Sequence, residues 1–110
     1  MKSESFFWLP PKDGGDTMAL FLIVTRRTPA FRAEVLPDHR RFLSELARQG
    51  RLELSGPFAD GTGGAYLIRA TSLEEAKTVA EQDPLASSGA SELVVKEWQA
   101  TLGVPDAHKR

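Results

Sequence analysis

Two residues, His39 and Asp83, are of types that move protons, and each stands at one end of a predicted helix. An unperturbed histidine titrates near pH ~6.5, so it can act as a general base or acid at neutral pH. A neighbouring carboxylate fixes the imidazole tautomer and stabilises the imidazolium. The pair therefore predicts proton-transfer chemistry if the fold brings the two side chains together. The alternative is a buried hydrogen-bonded clasp that ties two helix ends together.

Other polar residues are predicted to reach the same edge of the fold. Arg26 and Arg27 leave the first predicted strand there and are candidates to bind a substrate carboxylate, with a solvated strand end as the alternative. The stretch Ser55-Gly56-Pro57 approaches the same edge and is a candidate for substrate contact. Tyr66 and Trp98 are predicted to be core or interface residues instead.

Composition excludes several classes of function. With 110 residues the chain has room for one domain, and its net charge of −1 removes the usual electrostatic argument for nucleic acid or an anionic membrane. The absence of cysteine excludes disulfides and thiolate metal sites, and no paired-histidine motif suggests a metal. No segment approaches the ~20 apolar residues of a membrane span, so a cytoplasmic protein is expected.

Apolar periodicity predicts the element order β-α-β-β-α-β. The first strand, residues 19–26, is apolar on both faces, and the first helix runs from Pro37 to the terminator Gly50. The second helix opens with the capping box Ser72-Leu73-Glu74-Glu75, is stopped by Pro84 and is followed by a loop. The remaining strands are predicted at residues 52–58, 65–71 and 91–98.

The chain divides into three parts: an N-terminal arm (1–17), a domain (18–99) and a polar C-terminal tail (100–110). Proline and glycine pairs interrupt the arm, which also carries Phe6-Phe7-Trp8. Two interpretations of the arm remain open: it docks through these aromatic residues, or it is disordered. Since the core elements begin later, deleting residues 1–16 is expected to leave the fold intact.

The element order matches the ferredoxin-like split motif, an α+β fold with an antiparallel four-stranded sheet and two helices on one face. Because the first strand is apolar on both faces, the second face of the sheet needs a cover. A second subunit would supply it as a symmetric homodimer with stacked sheets, and the arm is a compatible rival. In this topology the first helix begins, and the second helix ends, at the same edge, which brings His39 beside Asp83.

Several short motifs lie within residues 18–98: His39-x-x-x-Leu43-x-x-Leu46, Gly50-Arg51-Leu52, Ser55-Gly56-Pro57, Ser72-Leu73-Glu74-Glu75-Ala76, Asp83-Pro84, Gly89 and Val95-x-x-Trp98. Together they resemble the motifs of the YCII (YciI-like) family. The resemblance implies a dimeric ferredoxin-like α/β barrel, related to muconolactone-isomerase-type folds. It also implies an active site formed by the His–Asp pair, here His39 and Asp83. One branch of the family resembles dehydrochlorinases of chlorinated hydroquinones. The chain departs from the family in its arm and at Leu85, where an aromatic residue is common.

Two hypotheses of function follow. The first is a cofactor-independent isomerase or lyase that moves a proton on a small cyclic organic acid. The second is a non-catalytic dimeric module that binds a small anion or regulates a partner. Both expect a small-molecule ligand, anions included, and neither expects nucleic acid or a membrane. A cavity beside His39 favours the enzyme, and a dry, filled contact between His39 and Asp83 favours the module.

Overall fold

The computed structural model describes residues 18–103, so the arm and the last seven residues of the tail lie outside it. The elements in chain order are β1 (Ala19–Arg27), α1 (Leu36–Arg48), β2 (Leu52–Pro57), β3 (Gly63–Ala70), α2 (Leu73–Glu81), α3 (Pro84–Ser87) and β4 (Ser91–Trp98), with a 3-10 turn (Ala33–Val35) before α1. No helix in these described residues has the length and apolar content to cross a membrane.

The four strands form one antiparallel sheet in the order β2-β3-β1-β4. β1 is central, and its Phe21 lies opposite Ile68 of β3 on one side and Glu97 of β4 on the other. The predicted α+β architecture with a ferredoxin-like sheet is confirmed.

The core lies between the sheet and the helices. Alternate residues of a strand point to opposite faces, so Phe21 and Ile23 of β1 point together toward the helices. They pack with Phe42 and Leu46, four residues apart on α1, and with Ile68 of β3. Each of these five side chains is at most 5% exposed. This packing fixes α1 on the sheet and determines where its first turn lies.

The other face of the sheet carries apolar side chains that no described helix covers. We call this the open face; its apolar residues are Leu20, Leu22, Val24, Leu54, Leu67, Val94 and Trp98. Leu54 is 60% exposed, Val94 51% and Trp98 49%. This is the face for which the sequence predicted a cover.

The chain after α2 differs from expectation. Pro84 was predicted to stop a helix and to be followed by a loop, but it opens the short helix α3. The cause is local: Asp83 adopts extended backbone geometry and its carboxylate accepts from the Leu85 N–H, while Pro84 occupies the first helical position. The carboxylate of Asp83, which caps α3, also belongs to a predicted site residue.

Candidate active site

The structure brings His39 and Asp83 together. Nδ1 of His39, in the first turn of α1, lies 2.9 Å from Oδ1 and 3.1 Å from Oδ2 of Asp83. The Asp83 side chain is fully buried, and that of His39 is 15% exposed. The two residues are 44 positions apart and meet because both helices start or end at one edge of the sheet.

The carboxylate of Asp83 accepts from three donors. Besides His39, the hydroxyl of Tyr66 donates to Oδ2 at 2.8 Å, and the N–H of Leu85 donates to Oδ1 at 2.8 Å. An ionised carboxylate only accepts hydrogen bonds, so Nδ1 of His39 carries the proton in this contact. In the neutral imidazole Nε2 then keeps its lone pair, and this is the form of imidazole that acts as a base.

Tyr66 is a member of this network that sequence reasoning assigned only to the core or an interface. Burial raises its pKa well above the ordinary value, and the charge and hydrogen bond of Asp83 raise it further. Tyr66 therefore stays protonated and donates to Asp83 throughout the physiological range. Strand alternation places it on the helix side of the sheet, but its distance from Asp83 depends on how α2 and α3 pack.

A cavity of about 360 Å³ lies beside the pair and is lined in part by His39 and Tyr66. This volume falls within the ~300–1,000 Å³ typical of small-molecule sites. Apolar side chains, among them Leu36, Leu43 and Leu85, form much of the remaining wall. Since Nδ1 is bonded to Asp83, Nε2 is the nitrogen of His39 left for a ligand.

The other predicted site residues divide into two groups. Ser55, Gly56 and Pro57 line the cavity, as does Arg27. Arg26 does not: it lies on the open face, where its exposed side chain pairs with Glu92. Alternation along β1 is the reason, because Arg26 shares its face with the open-face residues and Arg27 shares the opposite face with the core residues.

The cavity lining is cationic. Its charged side chains are Arg27 and Arg40, with His39 able to add a third charge, and no aspartate or glutamate is among the described residues that line it. Within residues 18–103, no three His, Cys, Asp or Glu side chains are grouped so that they could hold a metal ion. The site as described can exchange a proton through His39 and attract an anion.

Comparison with known proteins agrees with the motifs. The sequence model of the YCII-related domain matches residues 19–99 of the chain. The chain belongs to the YCII-related family. The resemblance inferred from the sequence motifs is thereby confirmed.

Two relatives illustrate the family and the fold. The protein named "Uncharacterized protein YjpA" of Bacillus subtilis (strain 168) is 49% identical over 82 residues, which are 74% of this chain and 96% of that protein. A solved structure of 5-chloro-2-hydroxyhydroquinone dehydrochlorinase (TftG) from Burkholderia phenoliruptrix AC1100, in complex with 2,5-dihydroxybenzoquinone, is also similar. It superposes with a TM-score of 0.64 at 24% identity, covering 74% of this chain and 95% of that one. At this identity the likeness supports the fold.

Proposed function

We propose that this YCII-related protein is a cofactor-independent enzyme of the isomerase or lyase type that transfers a proton on a small cyclic organic acid. One observation carries the proposal. His39 lines a cavity of about 360 Å³, while its Nδ1 is held by the buried carboxylate of Asp83. This arrangement leaves a basic nitrogen of fixed tautomer beside a space of ligand size. A cavity beside His39 is the feature that favours the enzyme over a purely binding module.

The mechanism assigns one role to each partner. Nε2 of His39 takes a proton from a C–H or O–H group of the ring, and Asp83 stabilises the imidazolium that forms. In an isomerase, the released electron pair moves onto a conjugated oxygen and the imidazolium returns the proton to another carbon. In a lyase, the same pair forms a new double bond as the leaving group departs with its own electron pair, and the imidazolium then gives its proton to solvent. Tyr66 and Leu85 keep their hydrogen bonds to Asp83, so the carboxylate holds its position throughout.

Ser55 is proposed to contact the substrate, with Gly56 and Pro57 shaping the same wall of the cavity. The residues of this wall lie on β2, opposite the end of β3 that carries Tyr66. A role for Arg26 in substrate binding is not supported, because it lies on the open face.

We also propose that the protein is a homodimer whose two open faces pack against each other. The support is the exposed apolar surface of Leu54, Val94 and Trp98 on the face without helices. Two stacked sheets would bury these side chains and complete the barrel that the family resemblance implies. Residues 1–17 are the rival cover.

The test uses two assays that follow the proton and the leaving group separately. Incubation with a panel of enolisable cyclic acids in D₂O is followed by NMR for deuterium incorporation into the ring. Chloride release is measured with 5-chloro-2-hydroxyhydroquinone, the compound in the name of the structural relative. We expect turnover in at least one assay and its loss in His39→Gln.

The control variant is Asp38→Asn, whose exposed carboxylate lies on α1 next to His39 in sequence and pairs with Arg41 instead. It should retain full turnover. Unchanged turnover in His39→Gln would contradict the proposed base. Ligand binding with neither deuterium exchange nor chloride release would support the non-catalytic module.

A further inference from the structure

Arg27 and Arg40 have no carboxylate partner among the described residues, unlike most of the other described arginines. Five other arginines each lie within 4.0 Å of an acidic side chain: Arg26, Arg41, Arg48, Arg51 and Arg69. Both Arg27 and Arg40 line the cavity beside His39. Guanidinium groups are charged at every physiological pH, so the cavity holds two fixed positive charges that the described residues do not neutralise.

The position of Arg27 is held by its neighbours. Its guanidinium carbon lies 4.1 Å from the centroid of the Phe31 ring, a cation–π contact. The backbone N–H of Arg27 donates to the Thr62 carbonyl at 2.9 Å, and that of Phe31 donates to the Thr28 carbonyl at 3.0 Å. The Thr28 hydroxyl in turn donates to the Gly89 carbonyl at 2.8 Å. The backbone of this segment is therefore fixed and the cation lies over the Phe31 ring without a ligand, which reduces the entropy lost on binding.

The rest of the lining complements a flat ring. Phe31 and Tyr66 contribute aromatic surface, and Leu43 and Leu85 contribute aliphatic surface. Such surfaces bind a ring through apolar contact, whereas a guanidinium binds a carboxylate through paired hydrogen bonds. The two kinds of surface lie in one cavity with the basic nitrogen of His39.

We propose that Arg27, assisted by Arg40, forms an anion subsite that selects ring compounds bearing a carboxylate and directs the ring toward His39. The inference deepens the proposed function and rests on it in one respect, that this cavity is the substrate site. In this subsite Arg27 and Arg40 determine specificity. Of the two arginines that the sequence offered for binding a carboxylate, Arg27 lines the cavity and Arg26 does not.

The experiment measures binding, which needs no turnover. Benzoate and its neutral analogue benzamide are titrated into the full-length protein by calorimetry, and the His39 ring signals are followed by NMR to locate the ligand. We expect benzoate to bind and to shift the His39 signals, and benzamide to bind at least tenfold more weakly. Arg27→Gln should weaken benzoate binding about tenfold or more, because a charge-assisted hydrogen bond is lost. Arg40→Gln should weaken it by a smaller factor.

Two further variants complete the design. Arg32→Gln removes an equal charge from a residue that also has no carboxylate partner among those described but does not line the cavity, so benzoate affinity should stay within twofold of wild type. Arg27→Lys keeps the charge without the planar fork and should restore part of the affinity. If Arg27→Lys binds benzoate, the weaker binding of Arg27→Gln reflects lost recognition of the carboxylate and not a loss of folding.

Three outcomes would overturn the subsite: no benzoate binding to wild type, equal affinity for benzoate and benzamide, or unchanged benzoate affinity in Arg27→Gln. A failure of the proposed function is distinct, since it would appear as absent turnover while benzoate still binds and still depends on Arg27.

Discussion

Replacing Asp83 by asparagine should weaken the preference of His39 for the tautomer with its proton on Nδ1, while nearly preserving shape. The wild-type carboxylate faces three donors, from His39, Tyr66 and Leu85. Asparagine offers one carbonyl oxygen and one NH₂ group. If its oxygen takes the place of Oδ1, it keeps the Leu85 N–H and the cap of α3 and still lies 2.9 Å from Nδ1 of His39. Its NH₂ group then takes the place of Oδ2, beside Tyr66 and 3.1 Å from Nδ1. The Tyr66 hydroxyl can rotate to accept, but the NH₂ group opposes the proton on Nδ1, so the tautomer with the proton on Nε2 becomes populated.

The size of the effect follows from the number of bonds. A hydrogen bond to a charged group contributes about 1.5–3 kcal/mol and a neutral one about 0.5–1.5 kcal/mol, so three weakened bonds amount to about 3 kcal/mol. Removing a buried charge relieves its desolvation and offsets part of this loss. We expect the free energy of unfolding to fall by about 1–3 kcal/mol. Catalysis should fall much further, by about 10⁴-fold, the loss seen where an orienting carboxylate is replaced by its amide.

Three measurements check this prediction. Long-range ¹⁵N–¹H NMR at neutral pH should show the proton on Nδ1 in wild type and a mixture of the Nδ1–H and Nε2–H tautomers in Asp83→Asn. Denaturant unfolding gives the stability difference, and the deuterium-exchange or chloride assay gives the rate. Asp38→Asn should match wild type in all three, since its carboxylate is exposed on α1. An Asp83→Asn protein with the same tautomer population as wild type would refute the account of the network.

Other predictions concern the same fold. Tyr66 is the only tyrosine, so tyrosinate absorbance reports it alone; with its pKa raised in the folded state, its contribution to stability is present below pH ~10 and lost as pH rises through the folded value, so absorbance and unfolding should appear together. Ionisation near pH ~10 in a protein with native circular dichroism would contradict this. Val94→Glu should convert a dimer to a monomer in light scattering, because Val94 lies on the open face; an unchanged mass would exclude that interface. Gly64→Ala should lower the melting temperature by several degrees, because a Cβ there would lie 2.5 Å from the Gly56 carbonyl oxygen, whereas Gly56→Ala meets nothing within 4 Å and serves as the control.

The sequence predicted the meeting of His39 and Asp83 because that contact depends on topology alone. Two features that it missed were nevertheless encoded locally. Side chains alternate between the two faces along β1, so Arg26 and Arg27 lie on opposite faces of the sheet. Only Arg27 shares a face with Phe21 and Ile23. The Asp83-Pro84 pair carries the N-cap and first-turn preferences of a helix, here α3.

The contact between Tyr66 and Asp83 was not encoded in this way. It depends on the angle at which α2 and α3 pack on the sheet, and apolar periodicity does not specify that angle. What covers the open face is likewise not specified by the apolar pattern of β1, which predicts only that a cover is needed.

The triple use of the Asp83 carboxylate makes the chemistry depend on completed folding. Its partners Tyr66 and His39 lie 17 and 44 residues away in sequence, on β3 and α1, so closing both contacts requires chain segments to come together at a cost in loop entropy. A partly folded chain, with α1 detached from the sheet, has no carboxylate to orient its histidine. Nascent or damaged copies should therefore lack a fixed tautomer, and the tautomer should become fixed during refolding when α1 docks on the sheet.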